Sequence, residues 1–134
     1  MLTHRRTVLC VDDDPDDQLM VLDSIKEIDP HMRVASALNG VEALRFLEEG
    51  KTNGGLPCLV LMDINMPLMD GKKAVTLIKK DKELDSVPVV IFSTSSSALD
   101  QTFCERHGVP FITKPANQKG LEEAVRKLLS YCTA

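Results

Sequence analysis

Five short apolar runs alternate with segments of helical spacing along this 134-residue chain, at Thr7 to Val11, Met32 to Leu38, Leu56 to Met62, Val87 to Phe92 and Pro110 to Thr113. Between them apolar residues return every three or four positions: Leu19, Leu22, Ile25 and Ile28; Val41, Leu44 and Leu47; Ala74, Val75, Leu77 and Ile78. The last stripe is the clearest, with Leu121, Ala124, Val125, Leu128, Leu129 and Cys132. Strand and helix in strict alternation predict an α/β fold, a doubly wound parallel sheet with helices on both faces, because right-handed crossovers must cover each side. The runs around Cys10, Cys58 and Val90 are continuously apolar, as central strands buried on both faces must be. The runs at Met32 and Pro110 are weaker or shorter and read as edges. Pro15, Asn39-Gly40, Gly50, Gly54-Gly55 and Gly71 mark helix boundaries. No repeat, low-complexity stretch or linker divides the chain, so residues 1–134 read as one domain.

Charge narrows the function classes. Twenty acidic residues against sixteen basic give −4, and five of the twenty are Asp12, Asp13, Asp14, Asp16 and Asp17; without them the balance would be +1. The negative charge is thus local. Lys and Arg are scattered rather than gathered on a face, which argues against direct nucleic-acid binding. No apolar run approaches the roughly 20 residues of a membrane span, and the opening Met-Leu-Thr-His-Arg-Arg leads straight into the first strand. The expectation is a cytoplasmic protein without a membrane partner. Cys10, Cys58, Cys104 and Cys132 form no CxxC pair and read as reduced, structural thiols.

In an open parallel sheet, ligands bind beyond the carboxyl ends of the strands. There the first strand runs into Asp12-Asp13-Asp14, the third into Asp63, the fourth into Ser93-Thr94 and the fifth into Lys114-Pro115. Acids, a hydroxyl and a lysine at one rim make a metal and phosphoryl site: oxygen ligands for Mg2+, a carboxylate nucleophile, and groups to neutralise phosphate oxygens. Three crowded carboxylates raise one another's pKa until a divalent cation restores the ionised forms. A calcium loop starting at Asp12 fails, because Asp17 stands where glycine is required, Pro15 interrupts it, and Asp23 takes the place of the bidentate Glu. Asp14, Asp16 and Asp17 read instead as the solvated start of a helix. His4, His31 and His107 share no ligand spacing, and Met62, Met66 and Met69 read as packing.

From about Arg6 to Cys132 the chain resembles the receiver domain of two-component response regulators. The resemblance rests on Val11-Asp12-Asp13, on Met62-Asp63-Ile64-Asn65-Met66-Pro67 with Met69-Asp70-Gly71, on Ser93 and on Lys114-Pro115. It implies a flavodoxin-like sheet of strand order 2-1-3-4-5. It makes Asp63 the residue phosphorylated by a sensor histidine kinase, a phosphotransfer protein or a small phosphodonor, with self-catalysed phosphorylation and dephosphorylation. Asp12, Asp13, Asp63 and the Asn65 backbone carbonyl would hold Mg2+, with Ser93 and Lys114 contacting phosphoryl oxygens. Thr94 and Ser95 adjoin Ser93, leaving the register open by one, and the apolar run favours Ser93. The resemblance further implies a switch at Ser93 and Phe111, tuning of the phosphorylated lifetime by Asn65 and Ser95, a cis peptide before Pro115, and turn-making by Asp70-Gly71. The partners it implies are that kinase or phosphotransfer protein, an unknown downstream protein, and a second copy docked through the fourth helix, fifth strand and fifth helix.

Two segments depart from the family pattern. Gly108-Val109-Pro110-Phe111 is about one residue short, and Gly50 to Leu56 is longer than in the simplest receivers, resembling stand-alone regulators related to those that partner bacterial phytochromes. The sequence ends two residues after Cys132, where a receiver joined to an output domain would continue. A stand-alone regulator is the expectation, and a piece of a longer protein would read the same. Two other functions compete. An aspartate-based phosphohydrolase of haloacid dehalogenase type needs a second acid two residues after the nucleophile, and Asn65 stands there. A degenerate receiver fixed in one state conflicts with the complete set of Asp12, Asp13, Asp63, Ser93 and Lys114.

Overall fold

In the computed structural model, which describes residues 6–94 and 97–132, the apolar runs are strands and the segments between them helices. In chain order they are β1 (Thr7–Val11), α1 (Pro15–Ile28), β2 (Arg33–Ala37), α2 (Gly40–Asn53), β3 (Leu59–Met62), α3 (Gly71–Lys80), β4 (Val89–Ser93), α4 (Ala98–His107), β5 (Phe111–Thr113) and α5 (Gln118–Leu129). All strand pairs are parallel, in the order β2-β1-β3-β4-β5. The two weak runs are the edges and the three continuously apolar ones are central. β3 and β4 begin later than their apolar runs, after Pro57 and Pro88, neither of which has an N–H to give the ladder.

Alternation within the central strands divides the core in two. Leu9, Val11, Val60, Met62, Val89 and Ile91 pack beneath α2, α3 and α4, while Val8, Cys10, Leu59, Leu61, Val90 and Phe92 pack beneath α1 and α5. Each such side chain, fully buried, contributes about 1.5–3 kcal/mol. Asp14, Asn39, Asp70, Ser97 and Asn117 cap the five helices, each accepting from backbone N–H groups of the first turn.

Two expectations are corrected here. The stripe of α1 is rotated: Gln18, Val21, Ser24 and Ile25 are buried, while Leu19 is 57% exposed. A count of apolar residues misses this face because Gln18 earns its burial through hydrogen bonds rather than apolarity, as described below. The cysteines are not all thiols. Cys10 and Cys104 are buried and free, but Cys58 and Cys132 form a disulfide with Cα atoms 4.8 Å apart across 74 residues of sequence. Cys58 directly precedes β3 and Cys132 follows the end of α5. Helices return antiparallel to the strands, so both cysteines arrive at the amino-terminal edge of the sheet, a proximity created by the topology.

Closing a loop of this length removes about 4 kcal/mol worth of chain entropy from the unfolded state. Reduction, or Cys132→Ser, is expected to lower stability by about 2–4 kcal/mol without loss of the fold, measured as a drop in the urea midpoint with a steeper slope, because the unlinked unfolded chain exposes more surface.

Candidate functional site

The parallel register delivers the chemical groups to one rim. Val11 pairs with Ala37 on one side and Met62 on the other, so Asp12 and Asp63 leave adjacent strands at the same level. Their backbones are pinned there: the Asp12 N–H donates to the Ala37 carbonyl at 3.0 Å and the Asp63 N–H to the Val11 carbonyl at 2.9 Å. Across β4 and β5, the Lys114 N–H donates to the Ser93 carbonyl at 2.9 Å. Gln18 braces this edge from α1, its Nε2 amide donating to the carbonyls of Asp12 at 2.8 Å and Ala37 at 2.7 Å. Sequence reasoning overlooked Gln18, and no apolar pattern would flag it.

Side chains complete the arrangement. Carboxylate oxygens of Asp12, Asp13 and Asp63 lie within 4.8 Å of one another. Asp12 is buried, Asp13 exposed and Asp63 half-buried. Lys114 Nζ donates to Asp12 Oδ2 at 2.5 Å and to Asp63 Oδ2 at 3.4 Å, and sits 3.5 Å from Asp17 Oδ2. Asp12 Oδ1 accepts from the Asp14 N–H at 3.0 Å. Asp63 Oδ1 accepts from the Ile64 N–H at 2.8 Å, and the Ser93 hydroxyl also hydrogen-bonds the Asp63 carboxylate. Asp17 therefore belongs to the lysine's surroundings rather than to a merely solvated helix start, while Asp14 is the helix cap.

Burial raises the Asp63 pKa and the Asp12 charge adds to it, against the opposing effects of the Ser93 bond, Lys114 and the Ile64 N–H. Burial also works against the Lys114 ammonium, but its bond to Asp12 and the charges of Asp63, Asp12 and Asp17 outweigh that and raise its pKa. Lys114 is thus a fixed cation, and Asp63 a carboxylate held less comfortably in its ionised form. Three carboxylates, with no sulfur or imidazole among them, fit a hard divalent cation.

The loop after β3 has its own requirements. Asp70 caps α3, and a Cβ on Gly71 would overlap the backbone carbonyl of Asp63, while the Gly71 N–H donates to the Ile64 carbonyl at 2.8 Å. The Asp70-Gly71 pair therefore shapes the backbone that presents Asp63. The same loop passes through Leu68 at φ 66° and lies against α2, where the Gly40 N–H donates to the Met69 carbonyl at 3.0 Å.

Asp12, Asp13, Asp63, Ser93 and Lys114 come together as expected. Asn65 is exposed in the loop two residues beyond Asp63. Phe111 opens β5 opposite Ile91 and packs half-buried against the core under α4, away from the carboxylates. Ser95 lies outside the described residues. The expected cis peptide is corrected: among the described residues no peptide is cis, and Lys114–Pro115 is trans. An X–Pro bond favours trans by about 0.5–1 kcal/mol, and in that form the Pro115 ring lies over Gly120 in the first turn of α5.

Comparison with known proteins agrees with this geometry. A family model described as the response regulator receiver domain matches residues 8–126. The chain is 31% identical over 124 residues to protein PilH of Pseudomonas aeruginosa, covering 92% of this chain and 97% of PilH. It is 29% identical over 129 residues to response regulator Rcp1 of Synechocystis sp., covering 94% and 88%. Among solved structures, the phosphorylated cyanobacterial phytochrome response regulator RcpA superimposes with a TM-score of 0.87 at 27% identity, covering 96% of this chain and 94% of RcpA. The Mn(2+)-bound form of Rcp1 gives 0.82 at 28%, covering 93% and 92%.

The raised pKa of Asp63 fixes a sign. Its proton is held more tightly in the fold than in the unfolded chain, so ionising Asp63 costs stability at neutral pH, and that cost fades as the pH falls and Asp63 protonates. Asp63→Asn is expected to raise the melting temperature of the metal-free protein at pH 7, with the gain shrinking toward acid pH. Divalent cation should raise the wild-type melting temperature more than that of the variant.

Proposed function

Because the chain belongs to the response regulator receiver family, we propose that Asp63 accepts a phosphoryl group from the phosphohistidine of a sensor kinase or phosphotransfer protein, or from a small acyl phosphate. An Asp63 carboxylate oxygen attacks phosphorus in line with the leaving group, the new P–O bond forming as the donor's P–N or P–O bond breaks. Asp12, Asp13 and Asp63, with the Asn65 carbonyl, are the residues that would hold Mg2+. When bound, the cation neutralises the carboxylates and the charge developing on the transferring group.

The chain's own residues do the rest. Lys114, already within reach of Asp63, offsets negative charge on the phosphoryl oxygens. The Ser93 hydroxyl, now bonded to the carboxylate, turns to a phosphoryl oxygen once roughly −1.5 to −2 charge is added. Ser93 shares its β4–β5 register with Thr113, and Ile91 two residues earlier faces Phe111, so a shift at Ser93 reaches the aromatic beside α4. Phe111 and the surface of α4, β5 and α5 then present the changed state to a downstream protein or a second copy. Asn65, two residues after Asp63 in sequence, and Ser95, two residues after Ser93, tune the lifetime of the modified state. No helix among the described residues is long and apolar enough to cross a membrane.

The observation that carries this reading is the contact of one lysine with both Asp12 and Asp63, beside the Ser93 bond to Asp63. A phosphohydrolase needs a proton donor two residues after its nucleophile, and the Asn65 amide has none to give at neutral pH.

Incubation with Mg2+ and acetyl phosphate should add one phosphoryl group by intact mass, absent in Asp63→Asn; an unmodified wild type would sink the proposal. Turnover of phosphate esters lost in that variant would favour the hydrolase. Lys114→Ala should keep the fold and accept phosphate at least about tenfold more slowly, because charge on the transferring group goes unmatched.

A further inference from the structure

The Cys58–Cys132 disulfide joins the far ends of the two elements whose near ends build the site. β3 begins at the residue after Cys58 and ends at the residue before Asp63; α5 begins shortly after Lys114 and ends shortly before Cys132. We propose that Cys58 and Cys132 form a reversible redox modification site, exchanging with low-molecular-weight disulfides of the glutathione class, and that its state sets how readily Asp63 is phosphorylated. The second half rests on Asp63 being the phosphoacceptor.

Access distinguishes this pair from the other cysteines. Cys132 is half-exposed, whereas Cys10, Cys58 and Cys104 are buried. Cys10 and Cys104 are enclosed in the core on either side of the sheet, out of reach of a small disulfide, so both resist exchange. Exchange enters at Cys132. Its thiolate attacks the small disulfide RSSR, forming a mixed disulfide and releasing one RS⁻; the Cys58 thiolate then attacks the Cys132 sulfur and releases the second. The two protons pass to the released thiolates. Two cysteine sulfurs are oxidised, one RSSR is reduced to two RSH, and excess RSH runs the sequence backward.

The coupling follows from what remains when the bond opens. Leu121, Val125 and Leu128 stay buried and keep α5 on the sheet, so release affects its last turn and its position along its own axis. At the other end Asn117 caps the helix and Pro115 lies against Gly120, tying any slide of α5 to Lys114. The Lys114–Asp63 contact, at 3.4 Å, is already long for a hydrogen bond and is sensitive to such a shift.

The test uses the whole protein in glutathione buffers of graded ratio, with free thiols alkylated and mapped by mass, and with Asp63 phosphorylation by acetyl phosphate and Mg2+ timed in each buffer. Cys58 and Cys132 should pass together from thiol to disulfide as the ratio becomes more oxidising, with Cys10 and Cys104 unchanged. The oxidised protein should be phosphorylated roughly three- to tenfold faster. Cys132→Ser should show the reduced rate at every ratio, and if that variant folds poorly the wild-type titration decides alone. A pair that stays thiol, or stays disulfide, at all ratios overturns the redox site. Equal rates for verified reduced and oxidised protein overturn the coupling, while absence of phosphorylation in both forms overturns the Asp63 reading itself.

Discussion

Mutual repulsion among Asp12, Asp13 and Asp63 is the interaction around which the rest of the molecule is arranged. Two unit charges 4.8 Å apart repel by about 3.5 kcal/mol at an effective dielectric near 20, a large fraction of what a domain of this size has to spare. The fold holds the three together because backbone register, not side-chain attraction, sets their positions. Asp12 and Asp63 are the next residues after two buried, paired strands and cannot separate without breaking ladder hydrogen bonds. Lys114 answers one of the three charges, and a divalent cation would answer the other two. The site without a cation is short of positive charge, and at Asp63 burial, with the Asp12 charge adding to it, leaves the pKa raised despite Lys114.

Supporting residues can be understood from this point. Gln18 sits under the β1 and β2 edge because the Asp12 carbonyl needs a donor where the strands stop pairing, and the same amide gives the Ala37 carbonyl a second one. Gly71 is a glycine because any side chain would strike the Asp63 carbonyl. Neither residue bears the chemistry. Both fix where it happens, and an error of an ångström at Asp63 would open the contacts from Lys114 and the Ser93 hydroxyl.

Much of this was legible in the sequence, for identifiable reasons. Strand identity and the distinction between edge and centre followed from apolar continuity, since a strand covered on both faces has no room for the Arg33 and Ser36 found in β2. Asp12, Asp63, Ser93 and Lys114 could be placed because each ends a strand, and strand ends share one rim. The features that were missed depend on three-dimensional meetings that leave no local pattern. The buried face of α1 includes Gln18 and Ser24, whose polarity hides it from an apolar count. Cys58 and Cys132 meet only because a helix brings the chain back to the edge where β3 starts. The trans peptide at Pro115 reflects a small intrinsic preference and the fit of the ring over Gly120, neither of which a Lys-Pro pair reveals.

The hydrogen bonds of Asp12 also bear on which of its neighbours would yield to a cation. One of its oxygens accepts from the Asp14 N–H and the other from Lys114, and each keeps a second lone pair on which a cation would be held. The Asp14 N–H belongs to the turn that starts α1, where Asp14 itself caps the helix, and removing it would disturb two structures at once. Lys114 is the easier group to move. Its side chain is flexible and it has Asp63 and Asp17 as other partners, so leaving Asp12 does not strand its charge. A cation held by Asp12 would thus leave the Asp14 turn intact, and any adjustment would fall to Lys114, which already has Asp63 and Asp17 within reach.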